Sequence, residues 1–513
     1  MNKKRFFING ILSSAVGLAL RTVALVFAAY VSRTVGAEGV GLNTLIVSAY
    51  GFALTFATSG ISLTVTRLVA SHIGEGRECE NGRILRGAMI YALIFSGVAS
   101  IALASFSGII ATSFLGDVRA ILPLQVLSLS LVPTALLGVI SGYFVARRAV
   151  VRNSAVQLFS QAVRIGATVA LLIIIGKRGV AEAALALALG ITISETAALL
   201  VALLLFAIDT ARERQRRSRG VSLMPVAKTA LPLALSSYVR SGLLSVEHSI
   251  IPRRLKERGD SSGEALSSFG ALHGMALPII VYPMSPLSSF ATLLMPEFAE
   301  AEGAGDKARM SRIARSAISA TLTYAILSAV LLFVFSEELG YAIYGSYSAG
   351  YFISVLAPVV PVMYLDHVVD SMLKGIGEQV YSMWVNIADS ALSVLLVWLL
   401  IPALGIEGYA VVIIAMEVFN LAFSYLRLSK RISIRNDLAA SLLVPALSAL
   451  GAAILAEHLF ISGGSMPAVA VVTKLIFSVC LFTLIKIALD FALWLFRRKE
   501  KIEDYHQGIA ENK

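Results

Sequence analysis

Residues 155–175 read AVQLFSQAVRIGATVALLIII. The run has the length of a bilayer-crossing helix, which needs about 20 apolar residues, yet Arg164 stands near its middle. On insertion scales a charge at that depth costs roughly 2.5–3.5 kcal/mol, so such a residue faces a wet cavity or a partner. Gln157, Gln161 and Arg164 are spaced i, i+4, i+7, which places them on one helical face. The segment therefore reads as a transmembrane helix with one polar stripe. Either that stripe lines a hydrated cavity, or Arg164 snorkels to an interface while the glutamines bridge helices.

The rest of the chain reads the same way. Of 513 residues 57% are hydrophobic and only 15% charged, where a soluble domain carries about 25% charge. Frequent Ala, Gly and Ser suit helices that pack in lipid through small residues. We expect an all-α membrane protein with about fourteen spans, near 8–31, 43–66, 87–110, 121–146, 155–175, 181–207, 225–251, 267–294, 313–335, 351–373, 381–402, 406–427, 438–460 and 468–496. The formal charge of +11 does not point to nucleic acid, because the basic residues gather in alternate short loops, as the positive-inside rule describes. An even number of spans then puts both termini in the cytoplasm, in a multi-pass protein of the cytoplasmic membrane. One loop, with Arg253, Arg254, Lys256 and Arg258, falls outside and breaks the rule. The basic start Met1–Arg5 imitates a secretion signal, but the run after it is long, holds Arg21 and lacks a small-residue cleavage site, so it reads as the first retained span. Cys79 falls in a loop and Cys480 in a helix, which argues against a disulfide, and no metal-ligand spacing is present.

The chain repeats. LVPTALLGVISGYFVARR around Pro133 corresponds to VVPVMYLDHVVDSMLKG around Pro361, and Gly176 and Gly179 to Gly405 and Gly408. The spacing predicts two parallel lobes of about six helices, related by an axis along the membrane normal. The N-terminal lobe covers 1–207, a basic linker 208–224, the C-terminal lobe 225–427, two extra helices 438–496 and a polar tail 497–513.

Arg21 lies in the first span and Arg240 in the seventh, its counterpart under the repeat. Each lobe would then present a basic group to a shared cleft, unless Glu195 or Glu247 neutralises it. His273 opens the eighth span, as a substrate contact or as a structural residue. Asp366, His367 and Asp370 cluster on the tenth. The carboxylates either couple transport to an ion, since burial and like charge both favour proton uptake, or brace the helix end near Lys374. Glu195 is a further candidate for ion coupling. Pro278, Pro283 and Pro286 crowd the eighth span, and a bent helix there is a candidate gate. The sequence has no phosphate-binding Gly-rich loop with Lys, no nucleophile elbow and only short outer loops, so neither catalysis nor a cofactor is expected.

Several stretches resemble a known family. YVSRTVGAEGVGL (30–42), SGYFVARRAVVRNSAVQLFSQAVRIG (141–166), IIPRRL (250–255), GMALPIIVYPMSPLSSFATLLMPEFAEA (274–301), LKGIGEQ (373–379) and LIPALGIEGYA (400–410) are similar to the stage V sporulation protein B-like polysaccharide transporters. These belong to the multidrug/oligosaccharidyl-lipid/polysaccharide exporter superfamily, which also holds the lipid II flippases. The resemblance implies two six-helix lobes plus two C-terminal helices, alternating access, and a basic cleft for an anionic headgroup. Arg21 matches a first-helix arginine of the lipid II flippases by its distance from Gly36, but the chain departs from that group where two further arginines fall near Phe27 and His273. The expected cargo is an undecaprenyl-pyrophosphate-linked saccharide, a peptidoglycan precursor or polysaccharide unit. Arg21, Arg164 and Arg240 would hold the phosphates. Membrane lipids and cell-wall synthesis proteins are the other expected partners. The alternatives are a multidrug/cation antiporter, for which Glu195 speaks, a membrane glycosyltransferase or polymerase, and a non-transporting member of a cell-wall complex.

Overall fold

The computed structural model describes residues 3–75, 80–211, 220–432, 439–459 and 468–511. Cys79, Arg77, Arg435 and the linker arginines within 212–219 lie outside them. Regular structure among the described residues is helical throughout. In chain order the helices are α1 (Lys3–Thr58), α2 (Ile61–Gly74), α3 (Asn81–Ile109), α4 (Ile121–Ala146), α5 (Val150–Ile174), α6 (Val180–Ala211), α7 (Leu223–Arg258), α8 (Ser262–Phe269), α9 (Leu277–Val281), α10 (Met284–Gly303), α11 (Lys307–Val334), α12 (Ser336–Tyr344), α13 (Tyr347–Leu356), α14 (Val360–Gly375), α15 (Gln379–Leu404), α16 (Ile406–Arg431), α17 (Val444–Leu459) and α18 (Ala468–Glu511).

Twelve stretches among the described residues are long and apolar enough to cross a bilayer. The first, Ala19–Ile73, runs 55 residues, which is length for two crossings. Gly36, at φ 71° and ψ 176°, breaks α1 inside it, in a region of backbone space reserved for glycine. The 36-residue α7 is also long enough to cross, although it is not among the twelve. Counting the long stretch twice and adding α7 returns the number of spans expected from the sequence.

The chain packs as two compact units, residues 1–275 with 386–412, and residues 276–385 with 413–513. Packing thus groups α7 and α8 with the first six helices, whereas the repeat assigned them to the second lobe. In the first unit α1 and α8 approach backbone to backbone. A Cβ on Gly41 would lie 2.0 Å from the Leu266 carbonyl oxygen, and one on Gly270 2.2 Å from that of Ala37. Small residues set this distance, as in membrane helix pairs generally.

The basic segment that breaks the positive-inside rule has a structural use. Arg253 Nη1 donates to the Ser113 carbonyl at 3.1 Å and Lys256 Nζ to that of Gly116 at 3.1 Å. Both acceptors lie at the π-helical end of the α3 span, where carbonyls are left without helical donors. Arg254 pairs with Glu257 at 2.5 Å and lies over the Trp398 ring at 4.6 Å.

The expected eighth span is interrupted. Its π-helical part covers Gly270–Ala276, Pro278 stands in the first turn of α9, Pro283 caps α10 and Pro286 lies in its first turn. At this break the Ile280 and Pro283 carbonyls accept the hydroxyls of Tyr364, at 2.6 Å, and Tyr324, at 2.7 Å. Those bonds satisfy backbone oxygens that have no water to turn to. Lys474 is held between Glu338, at 2.8 Å, and Glu457, at 3.0 Å, with its ammonium 4.9 Å from the Phe335 ring.

Replacing Gly41 by Ala forces α1 and α8 apart. Overpacking of this kind costs about 1–3 kcal/mol, so thermal unfolding of the purified protein should begin several degrees earlier. Gly51→Ala, where nothing lies within 4 Å of the new methyl, is the matched control and should leave the melting curve in place. Equal curves for both variants would contradict the close approach.

Candidate functional site

The polar stripe of α5 opens onto a cavity of about 390 Å³ in the first unit. Gln157, Gln161 and Arg164 all line it, and Asn153, one turn earlier, extends the stripe. Arg21 and Leu20 enter from α1, Leu137 and Ser141 from α4, and Glu195 from α6. α5 and α6, which both contribute to the lining, pack closely on each other. Thr168 and Gly190 show how closely: a Cβ on Gly190 would stand 2.0 Å from Thr168 Oγ1.

Two guanidinium groups therefore share the cavity with one carboxylate. Arg164 and Glu195 attract each other electrostatically, but Arg164 makes no hydrogen bond or ion pair with a described residue. Glu195 Oε2 lies 3.3 Å from the Thr134 hydroxyl, whose shorter contact is to the Ser130 carbonyl at 2.8 Å. Asn153 Oδ1 accepts the Ser141 hydroxyl at 2.7 Å. Behind this wall Tyr50 is buried, its hydroxyl 2.7 Å from Ser130 Oγ. A guanidinium carries five donors in a flat fork and fits the oxygens of phosphate two at a time. The arrangement is equipped to take a polyvalent anion with hydroxyl-bearing groups beside it, since the amides of Gln157 and Gln161 supply donors and acceptors.

Other residues singled out from the sequence lie elsewhere. Arg240 is exposed on α7 and does not line this cavity. Its neighbour Ser241 accepts the Thr55 hydroxyl at 3.1 Å. His273 packs in an aromatic cluster, its Nδ1 3.2 Å from the Tyr409 hydroxyl, its ring 4.2 Å from that of His248 and stacked at 5.4 Å on Phe269. Asp370 pairs with Lys374 at 2.5 Å and accepts the Ser382 hydroxyl, with Asp366 one turn earlier on α14. Glu247 is buried on α7, away from the cavity lining. The sequence reading passed over Asn153, Ser141 and Thr134. Asn153 was within reach, because it continues the i, i+4 spacing of Gln157 and Gln161 toward the N-terminus.

Fold and site together define a multi-span helical membrane protein with a basic, polar cavity inside one helical unit. Comparison with known proteins places it. A family model described as polysaccharide biosynthesis protein matches residues 7–263, half of the chain, and one described as MatE matches residues 262–399. The chain belongs to the polysaccharide biosynthesis protein family. Stage V sporulation protein B of Bacillus subtilis (strain 168) is 24% identical over 430 residues, 81% of this chain and 82% of that protein. Among solved structures, the lipid II flippase MurJ in an inward closed conformation is similar with a TM-score of 0.71 at 13% identity, covering 94% of this chain and 99% of that one. An inward-facing multidrug resistance MATE family transporter of the MOP superfamily gives 0.64 at 17% identity, covering 82% and 98%. The fold is the one these two solved transporters share.

Glu195 is the one acid among the residues lining the cavity, so its neutralisation should raise anion affinity. At an effective dielectric near 20, a charge several ångströms away contributes on the order of 1–2 kcal/mol. Titration of the purified protein with pyrophosphate should show about tenfold tighter binding for Glu195→Gln and about tenfold weaker binding for Arg164→Gln. Identical isotherms for the two variants would remove the cavity from anion binding.

Proposed function

We propose that this protein is a flippase that moves an undecaprenyl-pyrophosphate-linked saccharide, a peptidoglycan precursor or related polysaccharide unit, across the cytoplasmic membrane by alternating access. The observation that carries this reading is the presence of Arg21 and Arg164 together in one cavity with a single carboxylate, Glu195. A diphosphate entering between them gains charge-assisted, bidentate hydrogen bonds, and the net positive balance favours the anion over any cation. Gln157, Gln161 and Asn153 would bond the sugar hydroxyls. A volume of about 390 Å³ lies within the range of small-ligand sites and suits a headgroup whose lipid tail stays in the bilayer. Arg240 would join from α7 during the transport cycle, and the proline break between α9 and α10 would let the helices rearrange.

Membership of the polysaccharide biosynthesis protein family and the likeness of fold to a lipid II flippase both support the reading. The arrangement of basic loops favours cytoplasmic termini. No nucleotide-driven motor is needed. With the inside negative, outward movement of an anion is favoured by about 2.3 kcal/mol per charge per 100 mV, provided the arginines stay behind.

A second reading, a cation or drug antiporter, draws on the MatE match and on Glu195. It asks the cavity to prefer a cation, against the charge balance of its lining. Unchanged drug susceptibility in a deletion strain speaks for the flippase, and hypersensitivity to cationic drugs for the antiporter.

The direct test is leaflet exchange of a labelled lipid-linked saccharide in proteoliposomes. The protein should accelerate exchange, and Arg164→Ala should lower the rate at least about tenfold, the equivalent of one lost charged hydrogen bond of about 1.5–3 kcal/mol. Equal rates would take Arg164 out of the mechanism. Collapsing the membrane voltage alone should slow exchange; a rate indifferent to voltage would instead assign the drive to an ion gradient, with Asp366 and Asp370 as the candidate carriers.

A further inference from the structure

A second basic cavity, of about 740 Å³, lies in the other unit, between α11 and α18. We infer that it binds a membrane lipid whose headgroup carries a negatively charged phosphate, seated on Arg312, Arg315 and Lys486 with its chain lying along the deeper wall. This site is separate from the transport cavity and does not rest on the flippase reading.

Three observations carry the inference. The first is unspent charge. Arg309, at the start of α11, is held by Glu297 and Glu300 at 3.0 Å each. One turn further on, Arg312 and Arg315 line the cavity and make no hydrogen bond or ion pair with a described residue. Lys486 faces them from α18 and has Asp490 as its partner at 2.5 Å. Three cations and one anion leave the site positive.

The second is depth. At 1.5 Å per residue, Arg312 and Arg315 lie about 8 and 12 Å along α11 from Lys307. Lys486 lies about 9 Å from the end of the apolar stretch Ala470–Ala492. The cavity brings them together, so all three cations sit at one level. That level is near the boundary between headgroups and hydrocarbon, given that each interfacial layer is roughly 5–8 Å thick.

The third is the gradient along the wall. Moving inward along α11 the lining changes from Arg312 and Arg315 through Ser316, Ser319 and Thr323 to Leu327, and along α18 from Lys486 to Phe482. Charge gives way to hydroxyl and then to hydrocarbon, over about 22 Å of helix. A phospholipid presents phosphate, ester and acyl chain in that order. A soluble anion matches only the first part, and a transmembrane partner helix only the last. Exposed apolar side chains of α18, Val479, Ile476 and Val472, continue the surface past the middle of the stretch Ala470–Ala492. Ser319 is fixed from behind by the Ser441 hydroxyl, which donates to it at 3.3 Å.

The test uses the purified full-length protein in a neutral detergent and measures lipid binding by native mass spectrometry. The probes are phosphatidylglycerol, phosphatidylcholine, a polyprenyl phosphate and inorganic phosphate. We expect retention of the two anionic lipids, little retention of phosphatidylcholine, and no displacement by inorganic phosphate at equal concentration. Arg312→Gln with Arg315→Gln should weaken phosphatidylglycerol binding about tenfold. The double lysine variant, which keeps the charge, should retain most of it and controls for folding. Preference between phosphatidylglycerol and polyprenyl phosphate identifies which lipid source fills the site; both bear out the inference. Wild-type binding by the glutamine variant, equal retention of phosphatidylcholine, or full displacement by inorganic phosphate would each overturn it.

Discussion

A guanidinium cannot rest in hydrocarbon, and Arg164 stands near the middle of a membrane-spanning helix. Such a group must find water, a counter-ion or both. The first unit supplies a cavity on one side and an incomplete counter-ion on the other. α5 and α6 pack closely through Gly190 against Thr168, and the polar stripe of α5 lines the cavity. Glu195 is near enough to attract Arg164, yet the two form no hydrogen bond or ion pair. A closed ion pair would lower the energy of the empty cavity and raise the barrier to an incoming anion. A pair left open keeps donors ready for a ligand at a smaller desolvation cost.

This arrangement stands out against the way other cations of the chain are handled. Lys474, which is almost fully buried, has two carboxylates and an aromatic face. Arg253 and Lys256 cap backbone carbonyls. Arg427 and Arg431 converge on Glu378, at 2.9 and 2.5 Å, and hold its carboxyl below the usual carboxylate range. In each case the charge is answered by the protein itself, and the cation serves to fix helices. Arg164, Arg312 and Arg315 make no hydrogen bond or ion pair with a described residue, and all three line cavities. The difference separates cations that the protein itself pairs from cations that line a cavity.

The helical fold was legible because length and hydropathy alone decide it: only helices close their own hydrogen bonds in lipid. The α5 stripe was legible for a similar reason, since a single helix fixes which residues share a face. What crosses between helices was not. Nothing in the spacing of Glu195 tells that it shares a cavity with Arg164, or that His273 packs against Tyr409, 136 residues further along the chain. The basic outer segment looked anomalous in sequence because its acceptors, the carbonyls of Ser113 and Gly116, carry no side-chain signature. The polar stripe of α11 was hidden for another reason. Arg312 sits near a helix start, where a loop arginine is expected by the positive-inside rule, and the cavity beside it depends on α18.

The central claim is that the α5 stripe faces water and an anion rather than acyl chains. Thiol labelling tests it most directly. With Cys79 and Cys480 replaced by Ser, single cysteines are placed at Gln157, in the cavity, and at Ile173, an apolar residue exposed at the far end of the same helix. A charged, membrane-impermeant thiol reagent is then applied to protein in sealed inside-out and right-side-out vesicles. The account predicts rapid labelling at position 157 from at least one side, slowed by a lipid-linked pyrophosphate, and no labelling at 173. Equal inertness of both positions, or labelling at 157 that a pyrophosphate lipid leaves unchanged, would contradict it.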